Sequence, residues 1–233
     1  MLLAKRIVDD IRRDERGTGD KLAPERVMLE KYQVGRGTLR ESLRFLELQG
    51  VISLKPGPGG GPTVEKPDSS TLATTLLLLL QFENAKFETI AEARRGFEPL
   101  MARLAAERIS EDDLRMLESS VDTMRGGLSD IDTFLHTNME FHEIIAWSSK
   151  NAMYGFLIDA LVGILDGSAL GVDYPVHRRT AVLKAHTSIL EALRAHDGDA
   201  SGEAMTRHID EYVRYISRKF PEVLARPVTW DLL

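Results

Sequence analysis

Apolar positions in the first fifty residues recur at helical spacing. Leu3, Ile7 and Ile11 fall four apart and predict a first helix, which Gly17 and Gly19 end. Met28 and Tyr32 mark the inner side of a short second helix from about Glu25 to Tyr32, and Gln33-Val34-Gly35 reads as a turn. A third helix follows between Arg36 and Gly50. Leu39, Leu43 and Leu46 share one of its faces, while Arg36, Arg40 and Arg44 run at steps of four about a quarter-turn away. Gly50 stands where a left-handed residue would stop this helix. The period then changes. Val51-Ile52-Ser53-Leu54-Lys55 alternates as a strand and Pro62-Thr63-Val64-Glu65 is its possible partner, with the side-chain-poor turn Pro56 to Gly61 between them.

Residues 66–70 read as a linker, and from Thr71 the pattern is helical throughout. Helices are expected near 71–83, 86–109, 111–126, 130–149, 151–168, 174–196 and 199–219, separated by short breaks such as Gly126-Gly127 and Asp197-Gly198-Asp199. The expected fold is mainly α. A winged helix-turn-helix with a small β-hairpin occupies 1–68, and an all-α bundle of six or seven helices occupies 69–233.

Polar residues interrupt the apolar stripes of that bundle. Asn138 and His142 sit four apart between Leu135 and Ile145, His186 lies between Val182 and Leu190, and His208 lies between Met205 and Tyr212. Three imidazoles and an amide oxygen therefore point inward from three helices. Buried polar groups need partners, and a shared divalent cation is one way to supply them. Three histidines plus one oxygen, with positions left open, suit Zn²⁺ or a Ni²⁺-like ion. Arg94 similarly breaks the stripe Ile90, Phe97, Met101, Leu104. It either pairs with Glu98 one turn on or awaits the carboxylate of a small ligand.

Charge sharpens the division. Residues 1–68 carry 13 Lys and Arg against 11 Asp and Glu, a net +2, whereas residues 69–233 carry 17 against 25, a net −8. A basic head on an acidic body is expected when only the head meets nucleic acid. Arg36, Thr38 and Arg40 on the third helix suit phosphate contacts and guanine edges. The chain has no cysteine, which excludes disulfides, thiolate metal sites and cysteine nucleophiles. Lys5 and Arg6 are followed at once by Asp9 and Asp10, unlike a secretory leader, and the longest apolar run, Leu76 to Leu80, is far too short to span a bilayer. No membrane partner and a cytoplasmic location are expected.

Motifs in order along the chain resemble the GntR family of bacterial transcription regulators, in its FadR-type branch with an FCD effector domain. "LPSER" appears as Leu22-Ala23-Pro24-Glu25-Arg26, the recognition-helix motif as Val34 to Gly50, and the glycine-rich wing as Gly57 to Gly61. In the second half, "RxxLE" corresponds to Arg94 to Glu98, "DxxFHxxxxxxxxN" to the stretch from Asn138 to Asn151, "HxxILxAL" to His186–Leu193 and "AMxxH" to Ala204–His208. The resemblance implies operator contacts at Arg26, Gly35, Arg36, Thr38 and Arg40, with Gly59 and Gly60 of the wing in the minor groove. It implies metal ligands at Asn138, His142, His186 and His208, where Asn138 replaces the more usual Asp, and an effector contact at Arg94. Gly35 lacks the usual N-cap hydroxyl, and an amide at 138 offsets no cationic charge. The function implied is a homodimeric, non-enzymatic regulator, a repressor of palindromic operator DNA that a small organic acid releases. The rival from another class is a small His₃ metalloenzyme with an unrelated N-terminal module.

Overall fold

The computed structural model describes residues 1–57 and 60–230, which form two compact units, residues 1–71 and those from 72 onward. In the first, α1 (Leu2–Arg13), α2 (Glu25–Tyr32) and α3 (Arg36–Leu48) precede strands β1 (Ile52–Lys55) and β2 (Gly61–Val64). The stripes expected from the sequence are its core. Leu3, Ile7, Ile11, Met28, Tyr32, Leu39, Leu43 and Leu46 are buried together with Ile52 and Val64. α2 ends at a left-handed Gln33 (φ 55°), which turns the chain into α3, and Gly50 (φ 67°) reverses it after α3. Pro24 and Gly35 sit at the N-caps of α2 and α3 without a side-chain hydrogen bond.

β1 and β2 pair antiparallel, Ile52 opposite Val64 and Lys55 opposite Gly61, with Lys21 bridging to Thr63 along the outer edge. The Gly60 N–H donates to the Gly57 carbonyl at 2.9 Å. A Cβ on Gly60 would lie 2.2 Å from the Lys55 carbonyl oxygen, so this turn closes only with glycine. Gly59 lies outside the described residues. A polar tie joins α1 to α2: Tyr32 Oη donates to Asp10 Oδ2 at 2.8 Å, and Lys31 Nζ lies 2.7 Å from the same oxygen. Lys31, outweighing partial burial and helped by Tyr32, holds Asp10 down at about 2.

The second unit contains α4 (Ser70–Phe82), α5 (Phe87–Arg108), α6 (Glu111–Gly126), α7 (Ile131–Ser148), α8 (Ala152–Leu161), α9 (Val176–Arg194), α10 (Gly198–Lys219) and α11 (Pro221–Leu224). α5 packs against α7, α9 and α10, and α6 closes over α7 and α9. No helix among the described residues is long and apolar enough to cross a membrane.

The helix expected over 151–168 stops at Leu161, and a short 3-10 turn, Ser168–Leu170, follows between the left-handed Gly167 and Gly171. Beyond that stop, buried side chains take up backbone carbonyls of the connecting segment. Arg94 and Tyr212 donate to the Leu165 oxygen, and Tyr174 donates to that of Asp166. α11 is additional to the expected elements, a single turn that begins at Pro221, where proline's missing N–H costs nothing.

Candidate functional sites

On α3 the three leucines are buried and Arg36, Thr38, Arg40 and Arg44 are exposed. Arg26 projects from α2 into solvent beside Glu30, and Arg40 lies 3.3 Å from Glu25 while keeping most of its surface free. A groove of about 460 Å³, lined by Glu25, Arg40, Arg44, Lys55 and Gly60 among others, runs between α3 and the hairpin. Gly35 begins α3, so the first backbone N–H groups of that helix have no side-chain cap. Helix N-terminal amides and forked guanidinium groups on one exposed face are equipped to hold phosphates and read base edges.

In the second unit α7 brings Asn138 and His142 inward, α9 brings His186, and α10 brings His208. All four are buried. One nitrogen from each histidine lies within 4.8 Å of the others, and the Nε2 atoms of His142 and His208 are 3.3 Å apart. Phe141 stacks on His186 with ring centres 3.7 Å apart, fixing its plane. Neither ring nitrogen of His186 has a hydrogen-bond partner. Burial first, then the neighbouring imidazoles and Arg94, push His186 and His208 well below the ordinary histidine range, so both present neutral lone pairs. His136, His177 and His196 are exposed.

Behind His142 stands Glu98, fully buried, with Oε2 2.6 Å from His142 Nδ1. Its other oxygen pairs with Arg94 Nε. Burial pushes Glu98 upward, but Arg94 and His142 outweigh it and hold the carboxyl well below its usual range. The Glu98–His142 pair is close without being aligned as a hydrogen bond; a carboxylate this near Nδ1 favours the proton there and leaves the Nε2 of His142 facing His208, the arrangement found behind metal-bound histidines. Arg94, the candidate effector contact, is 2% exposed. It bonds Glu98 and the Leu165 carbonyl and lies over the Tyr212 ring at 4.9 Å.

Arg94, Asn138, His142, Asp166, Tyr174, Tyr212 and His208 surround a cavity of about 10 Å³, space for a single water or ion. The orphaned nitrogens of His186, the lone pairs of His142 and His208 and the amide of Asn138 make a donor set that fits a divalent ion. The pattern of the sequence does not mark Asp166, 3% exposed, whose Oδ2 lacks a partner in this cavity, because its segment reads as helix. The approach of Glu98 to His142 spans 44 positions and leaves no periodic signal, although the one-turn spacing does mark Glu98 as a partner for Arg94.

Residues 3–60 match the family described as bacterial regulatory proteins, gntR family, and residues 89–211 match the FCD domain. The HTH-type transcriptional repressor NanR of Salmonella newport is 27% identical over 208 residues, 86% of this chain and 78% of its own length. Among solved structures, Streptococcus agalactiae GntR superposes with a TM-score of 0.72 at 27% identity, covering 91% of this chain and 98% of its own. E. coli McbR/YncC shares the fold at a TM-score of 0.50 and 16% identity, over 94% and 98% of the two chains.

Proposed function

The chain belongs to the GntR family of bacterial regulatory proteins, in the FadR-type branch that carries an FCD domain, and from that premise we propose a repressor whose grip on its operator is controlled by a small organic acid. It is a transcription regulator, and the families and relatives it matches are regulators, not enzymes. That leaves the His₃ metalloenzyme without support. Repression is proposed because the NanR relatives are named as repressors.

In this reading residues 1–68 bind double-stranded DNA and residues 69–233 sense the ligand and form a homodimer. Arg36 and Arg40 read base edges, Thr38, Arg26 and the start of α3 at Gly35 hold phosphates, and the wing at Gly59 and Gly60 enters the minor groove. A two-fold dimer reads a palindrome because each half-site meets one copy of α3. Support for a second copy comes from α4, which leaves Leu72, Leu79 and Phe82 exposed on one helix.

The observation that carries the effector reading is His186, buried with both nitrogens unpartnered beside His142 and His208. A Zn²⁺- or Ni²⁺-like ion would be held by these three and Asn138, and would supply positive charge for an organic carboxylate. Arg94 lines the same cavity but is already paired with Glu98, which also sits against His142, while Phe141 orients His186. The ligand weakens DNA binding by favouring a bundle shape in which two heads no longer fit both half-sites. That takes a coupling of about 1–3 kcal/mol.

The test is a mobility shift with the DNA upstream of the protein's own gene, at several salt concentrations and with a panel of organic acids. A salt-sensitive shift that one acid reverses is expected. DNA binding that no acid alters would remove the effector half of the reading, and no binding above that to unrelated DNA would remove the operator half.

A further inference from the structure

We propose that the groove between α9 and α10 is an anion-recognition site in which Arg178 grips the oxyanion of a small ligand whose opposite end reaches His208. The inference deepens the effector reading and rests on it. The cavity inside the histidine centre, about 10 Å³, holds a water or an ion but no organic acid. The groove offers about 340 Å³, within the range of metabolite sites. Val182 and His208 line both spaces, so the groove opens on the wall of the histidine centre.

Its charge is one-sided. Arg178, Lys184, Arg207 and Arg214 face Glu211, the single carboxylate among the lining residues. Arg178 is 5% exposed, with its guanidinium 4.5 Å from the Tyr215 ring centre, yet its Nε has no hydrogen-bond partner. Its contact with Glu211 is long, 3.4 Å, and Glu211 is half exposed and shared with Arg214 at 3.0 Å. A buried guanidinium with an unused donor is costly; that Nε has almost no surface open to the groove, so a carboxylate or phosphate satisfies it through two oxygens by drawing the side chain away from Tyr215. Arg94 cannot serve in the same way because Glu98 and the Leu165 carbonyl already engage it. Ala181, Ala185 and Ala204 leave room for the body of a compact ligand. The ligand class is therefore a small acid with an oxyanion at one end and an oxygen donor for the histidine centre at the other.

The test uses the full-length protein after chelator treatment, titrated separately with citrate and inorganic phosphate at constant ionic strength, with NMR resonances of Ala181 and Ala185 as reporters. Saturable shifts at these residues are expected, and Arg178→Ala should weaken the better anion about tenfold to a hundredfold. Preference between the two anions separates a carboxylate ligand from a phosphate. Arg178→Lys keeps the charge but loses the planar fork, so it should recover phosphate binding better than citrate binding. Should Arg178→Ala fail to fold, the exposed pair Lys184→Ala and Arg207→Ala should still weaken binding severalfold. Absence of saturable binding, shifts confined to other residues, or unchanged affinity in Arg178→Lys together with the exposed pair overturns the proposal. An acid that releases operator DNA from wild type, from Arg178→Ala and from the exposed pair of variants alike overturns the groove and leaves the effector reading standing. Groove binding without any acid affecting DNA does the reverse.

Discussion

Glu98 joins two jobs in one buried carboxylate: it neutralises Arg94 and it aims His142. Removing its charge strands a buried guanidinium, so Glu98→Gln should lower unfolding free energy by about 3–5 kcal/mol in a denaturant titration, far above the cost of losing a surface pair. A loss below about 1 kcal/mol would mean the pair contributes little. Asn138 borders the same cavity. Asn138→Asp adds the charge that an amide lacks, and zinc retained after purification and dialysis should rise; unchanged metal content would show that position 138 is not a ligand. Asp10 is held near 2 by Lys31 and Tyr32. Its folded value lies below the unfolded one, so its contribution is full above about pH 4 and fades as pH falls toward 2. Being near the surface, it should be worth only about 0.5–1 kcal/mol. Asp10→Asn should therefore destabilise the protein at pH 7 and do so progressively less as pH falls through 2.

The hairpin illustrates what an element demands of its residues. Gly60 must be glycine because the Lys55 carbonyl occupies the place of a Cβ. Gly60→Ala should distort the wing and weaken operator affinity at least severalfold while helical content by circular dichroism stays unchanged. Undiminished affinity would separate the wing from DNA binding. α3 teaches a complementary lesson. Its arginines are free to meet DNA because Leu39, Leu43 and Leu46 are committed to the core of the first unit, which fixes the rotation of the helix about its axis. Arg36→Ala or Arg40→Ala should cost about 1–3 kcal/mol of operator binding and loosen base preference, whereas equal losses on all sequences would make them phosphate contacts.

For the molecule as a whole, the proposed two-fold assembly needs an apolar face to cover, and α4 leaves Leu72, Leu79 and Phe82 exposed. Leu79→Glu should shift sedimentation toward the monomer and weaken binding to a two-site operator much more than to one half-site. An unchanged mass would place the dimer contact elsewhere. Most of the architecture was legible beforehand because helical and strand periods are local properties. The stripes at Leu3, Ile7 and Ile11, at Leu39, Leu43 and Leu46, and at His186 and His208 each name the face that turns inward.

Local pattern also determined that Asn138, His142, His186 and His208 would face the interior, since burying one side of a helix commits every residue on that stripe. It could not determine what those residues meet. Glu98 reaches His142 across 44 positions, Arg94 and Tyr212 both take the Leu165 carbonyl in the segment after α8, and Arg178, which lines a groove between two helices, keeps an unpaired Nε. These outcomes depend on distances between segments remote in the chain. Periodicity orients a side chain about its own helix axis, and only the packing of helices sets which partner lies there and how much space remains between them.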